Sequence, residues 1–303
     1  MSGLEIIRAV QSLQSPALDW FSLRITNLHS ETVYLVALPV LLWLYDKRFA
    51  RYMVSVFLLG YWANDVLKEL FHTNRPSPDD VRVIQPETSY AFPSGHSQNP
   101  LMFWGALAVQ MRRTWLTVFL GIMVFLIGFS RLYVGVHWPL DLIGGWVVGA
   151  LMLWGFVSTY NFWVGEGMSL GRRLFWAVAV PSVCLSISVA LGMAPPLMGA
   201  KDAAGHFWVT AGAYYGLWIG CVLEEEYVGF EPRRGGLFTQ VAKVVIGVLL
   251  LLAVKEGFKL FLPATALGDL IRYFCVALMG SLGAPWIFKR FMAAPPAPRS
   301  IAR

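Results

Sequence analysis

The chain predicts an all-α integral membrane protein of about nine transmembrane helices, preceded by an amphipathic amino-terminal helix. Three observations carry this prediction. Mean hydropathy is +0.58 with only 14% charged residues, apolar runs recur along nearly the whole length, and basic residues gather in alternate connections. Polar residues that break those runs are few, so each one asks for a reason.

Residues 1–31 come first. Ile7, Val10 and Leu13 stand opposite Arg8, Gln11 and Gln14 at helical spacing, the pattern of a short helix lying on the membrane surface or packed on neighbouring protein. Glu5 and the lack of an apolar core leading to a small-residue cleavage site argue against a secretory signal. Apolar runs follow near 32–46, 52–70, 97–111, 114–131, 139–160, 174–194, 207–223, 237–261 and 267–288. A helix needs ~20 residues to cross ~30 Å of hydrocarbon. The runs at 32–46 and 97–111 fall short and would borrow interfacial residues or sit in a thinned region. The tail 292–303, MAAPPAPRSIAR, is rich in Pro and Ala and is expected to be mobile.

The net charge of +6 comes with no basic face or reader motif, so a nucleic-acid partner is not expected. Under a nine-span count, Lys47, Arg48 and Arg51, the pairs Arg112-Arg113 and Arg172-Arg173, Arg233, Arg234, Lys243 and the basic residues after 288 share one face. By the positive-inside rule that face is cytoplasmic and holds the carboxyl terminus, giving a multi-pass protein of the cell membrane with its amino terminus outside. Cys184, Cys221 and Cys275 lie in apolar stretches and read as small core residues.

Three polar clusters depart from this plan: Lys68 with Arg75-Pro76, then Pro93-Ser94-Gly95-His96, then Ser130-Arg131 with His137 and Asp141. An even number of crossings separates them, so all three return to one membrane face, outside. Seven residues separate Lys68 from Arg75, which on a continuous helix would put both cations on one stripe. Pro93 and Gly95 shape a turn whose free amides, at the start of the next helix, favour an anion. Asp141, four residues beyond His137, can reach the imidazole, fix its tautomer and leave the other nitrogen free to attack phosphorus. Three cations, two imidazoles and a carboxylate make an inventory for holding and transferring a phosphoryl group. His72 reads as a surface group, Asn64 and Asp65 as support, and Gln98 and Asn99 as capping or interfacial groups.

Lys, six residues, Arg-Pro; then Pro-Ser-Gly-His; then Ser-Arg, five residues, His, three residues, Asp: this resembles the three-part signature of the type 2 phosphatidic acid phosphatase family, part of the acid phosphatase and vanadium-dependent haloperoxidase superfamily. The resemblance implies a helical phosphatase core and no metal or other cofactor. It implies His137 as the nucleophile forming a phosphohistidine, Asp141 as its orienting partner, and His96 as the group that protonates the leaving oxygen and then activates water. Lys68, Arg75, Arg131, Ser94 and the amide of Gly95 would bind phosphate oxygens. The chain then divides into an interfacial segment 1–31, a catalytic membrane core 32–160, additional helices 161–291 and the tail. A site at headgroup level implies a lipid phosphate or diphosphate substrate, such as an isoprenyl diphosphate, phosphatidic acid or phosphatidylglycerol phosphate. A headgroup-binding transporter or flippase, a soluble sugar-phosphate phosphatase and a vanadate haloperoxidase stand as alternatives.

Overall fold

In the computed structural model, which describes residues 2–164, 168–194, 197 and 206–292, regular structure among those residues is helical throughout. Two short helices lead, α1 (Gly3–Gln11) and α2 (Pro16–Thr26). The phosphatase-signature half continues with α3 (Glu31–Leu44), α4 (Lys47–Phe71), α5 (Gly95–Met111), α6 (Thr114–Tyr133) and α7 (Pro139–Val164). The second half holds α8 (Leu170–Ala190), α9 (Phe207–Leu223), α10 (Leu237–Phe261), α11 (Ala266–Leu278) and α12 (Ala284–Met292). Each of the nine apolar runs is therefore a helix, α11 and α12 forming the last one around a π-turn at Met279–Gly283. By length and hydropathy five of these helices are able to cross a membrane: α6, α7, α8, α10 and α11 with α12. A sixth candidate is α2 with α3, bent by 46°. Missing from that count are α5 and α9, at 17 residues each, and α4, which carries charges at both ends. Beyond Met292 the tail lies outside the described residues.

Helix α1 caps itself through Ser2 and Glu5, a reciprocal capping box. Its apolar stripe is turned onto protein, with Ile7 buried among Val81, Leu132 and Leu142. Helix α2 lies on the end of α6, where Asp19 accepts from Tyr133 Oη at 2.6 Å and Thr26 accepts from Arg131 at 2.9 Å. These two helices and the 72–94 loop form a collar over one end of the bundle. Arg8 donates to the Asp80 carbonyl, and Gln11 bridges the carbonyls of Arg82 and Tyr133.

Close helix pairs are made by small residues, as expected where lipid gives apolar side chains no reason to prefer protein. On α7, a Cβ at Gly145 would strike the Ser94 carbonyl and one at Gly149 that of Gln98, so α7 lies backbone-close to α5. On α9, Gly212, Gly216 and Gly220 recur every fourth residue, and a Cβ there would strike the Leu270 carbonyl, the Phe274 carbonyl and Ser281 Oγ. Outer faces remain apolar and exposed, as at Trp115, Ile122, Leu151 and Val245, which suits hydrocarbon.

The two halves are joined at the end away from the collar by a chain of ion pairs. Lys47 meets Glu224 at 2.8 Å, and Glu225 takes Arg51 at 2.7 Å and Arg173 at 2.6 Å. Arg51 also lies over the Trp218 ring, 5.1 Å from its centroid. Glu224 is almost wholly buried and further accepts the Phe230 N–H.

Candidate active site

The collar end brings the three polar clusters together. Helix α4 does not continue to Arg75. It stops at Phe71, with His72 in the left-handed region at φ 47° as its cap. Pro76 explains the break, since the residue before proline is driven out of helical conformation. Arg75 thus arrives from a loop, not from the stripe that carries Lys68, and it arrives at His137. His72 itself stays near the surface against Glu69 and Tyr90.

His137 precedes α7 in the short loop after Val134. Its Nδ1 lies 3.2 Å from Asp141 Oδ2, and the same carboxylate oxygen accepts the Trp138 N–H at 2.7 Å. Asp141 sits in the first turn of α7, where the spacing of four puts it over the loop and the helix amino terminus favours its charge. An ionised carboxylate accepts only, so His137 Nδ1 carries the proton. The free lone pair is then on Nε2, to which Arg75 Nη1 donates at 3.1 Å. Burial, followed by the charges of Arg75, Arg131 and Lys68, holds the His137 imidazole well below its ordinary range, keeping it neutral.

The remaining cations are fixed by the loop. Arg75 donates from Nε to the Ser89 carbonyl at 2.6 Å and from Nη1 to the Val136 carbonyl at 2.8 Å. Lys68 Nζ and Arg75 Nη2 both donate to Ser89 Oγ, at 2.9 and 3.1 Å. Arg131, fully buried, pairs with Glu87 at 2.6 Å. Its Nε and the Oγ of Ser94 are buried with no partner, a costly state for a polar atom. Ser94 caps α5 and its N–H donates to the Asp141 carbonyl at 3.0 Å, tying the Pro-Ser-Gly-His turn to the third cluster.

One cavity of about 510 Å³ opens here, lined by Lys68, Arg75, Gly95, His96 and His137. Ser94, Arg131 and Asp141 stand behind its wall. His96 packs edge-on to His29, ring centroids 4.4 Å apart, and His29 Nδ1 meets Tyr34 Oη at 3.1 Å. Asn64 donates to Gln98, whose own amide donates to the Gly60 carbonyl at 2.7 Å, so this pair crosslinks α4 to α5 instead of capping it. Sequence reasoning passed over His29, Glu87, Ser89 and His206. Their only signal is polarity in the 72–94 connection or at helix ends, which any interfacial residue shares. His206 meets Asp65 at 3.6 Å and also receives its carboxylate on the backbone N–H; those contacts raise its imidazole above the ordinary range.

Residues 49–164, which contain every one of these signature positions, match the model of the PAP2 superfamily, and residues 208–296 match that of the PAP2 superfamily phosphatase transmembrane extension. A putative undecaprenyl-diphosphatase of Escherichia coli is 31% identical over 45% of this chain and 70% of its own length. This chain belongs to the PAP2 superfamily. A second PAP2 relative, phosphatidylglycerophosphatase B of Bacillus subtilis, is 28% identical over 48% of the chain and 77% of its own length. The solved PAP2 type phosphatidylglycerolphosphate phosphatase of Bacillus subtilis covers 53% of the chain and 85% of itself, at 25% identity and a TM-score of 0.46. The chain is a PAP2 phosphatase, with its extension formed by α9 to α12.

Proposed function

We propose that this phosphatase cleaves a lipid phosphate or diphosphate through a phosphohistidine on His137. The observation that carries the reading is the orientation of that imidazole: Nδ1 bound to Asp141, Nε2 turned to Arg75 at the cavity wall. Nε2 attacks phosphorus, the bond from phosphorus to the leaving oxygen breaks, and His96 supplies that oxygen with a proton. His96 then takes a proton from water as it attacks the phosphohistidine, releasing phosphate and restoring Nε2. Asp141 stabilises the charge that develops on the ring. Lys68, Arg75 and Arg131, with Ser94 Oγ and the Gly95 amide, stabilise the charge on the phosphoryl oxygens, work that positioned cations do without a metal.

Both relatives carry names of phosphatases acting on lipid phosphates or diphosphates, which supports a lipid substrate here. The cation pattern supports nine spans, a cytoplasmic carboxyl terminus and a site on the extracytoplasmic side of the cell membrane. Residues 1–31 serve as the amino-terminal interfacial segment, 32–160 as the catalytic membrane core and 161–291 as the additional transmembrane helices. The test is phosphate release by the purified protein in detergent, with and without EDTA, from phosphatidic acid, phosphatidylglycerol phosphate and an isoprenyl diphosphate. Equal activity of wild type and His137→Ala would remove the nucleophile assignment, and loss of activity in EDTA would remove the metal-free mechanism. Cysteines placed in the loop 78–90 should label from outside intact cells.

A further inference from the structure

The cavity does not end at the phosphate cradle. Below His96 and Lys68 it continues as an apolar cleft between α3 and α4 on one side and the extension helices α9 and α11 on the other. Leu35, Leu38 and Pro39 line it from α3, and Val54, Phe57 and Leu58 from α4. Val209, Ala213 and Leu217 face it from α9, every fourth residue of one stripe. Val276 and Ala277 do so from α11. Its deep end lies at Leu42, Leu217, Leu251 and Gly280, where the Trp43 indole N–H donates to the Gly280 carbonyl at 2.8 Å within the π-turn.

We propose that this cleft holds the hydrocarbon tail of the substrate, and that it takes a single chain. The proposal rests on the phosphatase reading above and names the substrate class: a single-chain lipid phosphate of about 12 to 16 carbons. Continuity with the cradle identifies the occupant, since whatever phosphate enters the cradle has its ester substituent directed into or past the cleft. Length and volume set the number of chains. From Ser30 to Leu42 the wall runs twelve residues, about 18 Å at the helical rise. At roughly 1.25 Å per methylene, as C–C bonds near 1.5 Å give in zigzag, that is ~14 carbons. A volume of about 510 Å³ holds on the order of seventeen groups of ~30 Å³, one phosphoryl head and about a dozen methylenes. Two such chains would need roughly twice that volume. The wall contributed by α9 and α11 belongs to the extension, which gives that half of the protein a role as a tail gauge.

The experiment measures kcat/KM of the purified full chain for single-chain alkyl phosphates of 6 to 20 carbons, for two-chain phosphatidic acid, and for phenyl phosphate. Each methylene entering the cleft should raise kcat/KM about two- to fourfold. The rise should stop near 12 to 16 carbons, with phosphatidic acid at least tenfold below the best single chain. Ala213→Phe and, on the facing wall, Leu35→Trp put bulk at mid-depth and should each move the break at least four carbons shorter. A flat profile, equal use of the two-chain lipid, or a break unmoved in both variants overturns the tail site. If phenyl phosphate is cleaved in those cases the phosphatase reading survives alone; if no phosphate is released from any substrate, both fall.

Discussion

In the signature half, α5 and α7 approach through Gly145 and Gly149 and bring polar groups to their seam: Ser94, Ser97, Gln98 and Asp141 are all buried there or beside it. In the extension, α9 and α11 approach through Gly212, Gly216 and Gly220, and the flanking positions are Val209, Ala213, Leu217 and Val276. The same packing device therefore serves two ends. One seam gathers buried polar groups; the other borders an apolar cleft. Chemistry is concentrated in the first and shape in the second, so damage to each should show in different measurements.

The sharpest break in that division is His137→Ala, expected to lower kcat by at least roughly 10⁴-fold in phosphate-release assays while leaving the melting temperature in detergent nearly unchanged. Asp141→Asn should cost on the order of 10²- to 10⁴-fold in kcat, because the amide offers Nδ1 no negative charge and admits the wrong tautomer. In the extension the order reverses. Gly216→Leu drives a side chain into the Phe274 carbonyl and should destabilise by on the order of 3 kcal/mol, read as a lowered melting temperature. Gly121→Leu, with nothing within 4 Å, is the matched change on an open face and should stay within about 0.5 kcal/mol.

A pH profile of kcat/KM sharpens the first region. The proposed mechanism uses the neutral imidazole of His137, and burial beside three cations disfavours its protonation. Activity should hold as pH falls past the ordinary histidine value of ~6.5 and drop only below it. An acid limb centred at or above 6.5 would contradict a His137 kept neutral by its surroundings. The smallest effect concerns Glu87, whose carboxylate holds Arg131, a cation that the proposed function assigns to phosphate. Glu87→Gln should lower the inhibition constant for inorganic phosphate a few-fold, since the arriving anion no longer competes with a resident one.

Those expectations differ in how far they were legible from the chain. Lys68, His96, His137 and Asp141 stand out because an ionisable residue in an apolar run must be explained, and because fixed spacing reports a fixed local geometry. Arg75 was visible as a residue and misplaced as a position, since helical periodicity outweighed the effect of Pro76 on its predecessor. The helical class and the positions of the apolar runs were readable from hydropathy, though five or six of the described helices, not nine, are long and apolar enough to cross a membrane. Which faces look at lipid and which at the cleft was not, because Val209 or Leu38 would be apolar in either setting. His29 was invisible for the opposite reason: a single histidine after a short helix carries no pattern, and only the fold sets its ring against His96.

The ion-pair chain at the end away from the collar has a mechanical consequence. Glu224 and Glu225 hold Lys47, Arg51 and Arg173 with little exposure to solvent, whereas at the collar end one of the links between the halves is wet, Glu31 reaching Lys255 and Tyr273 with 59% of its side chain exposed. Exposed pairs hold weakly and are screened by salt; buried, multiply bonded ones are costly to break. A load that pulls the two halves apart would therefore meet its firmest resistance at the end away from the collar.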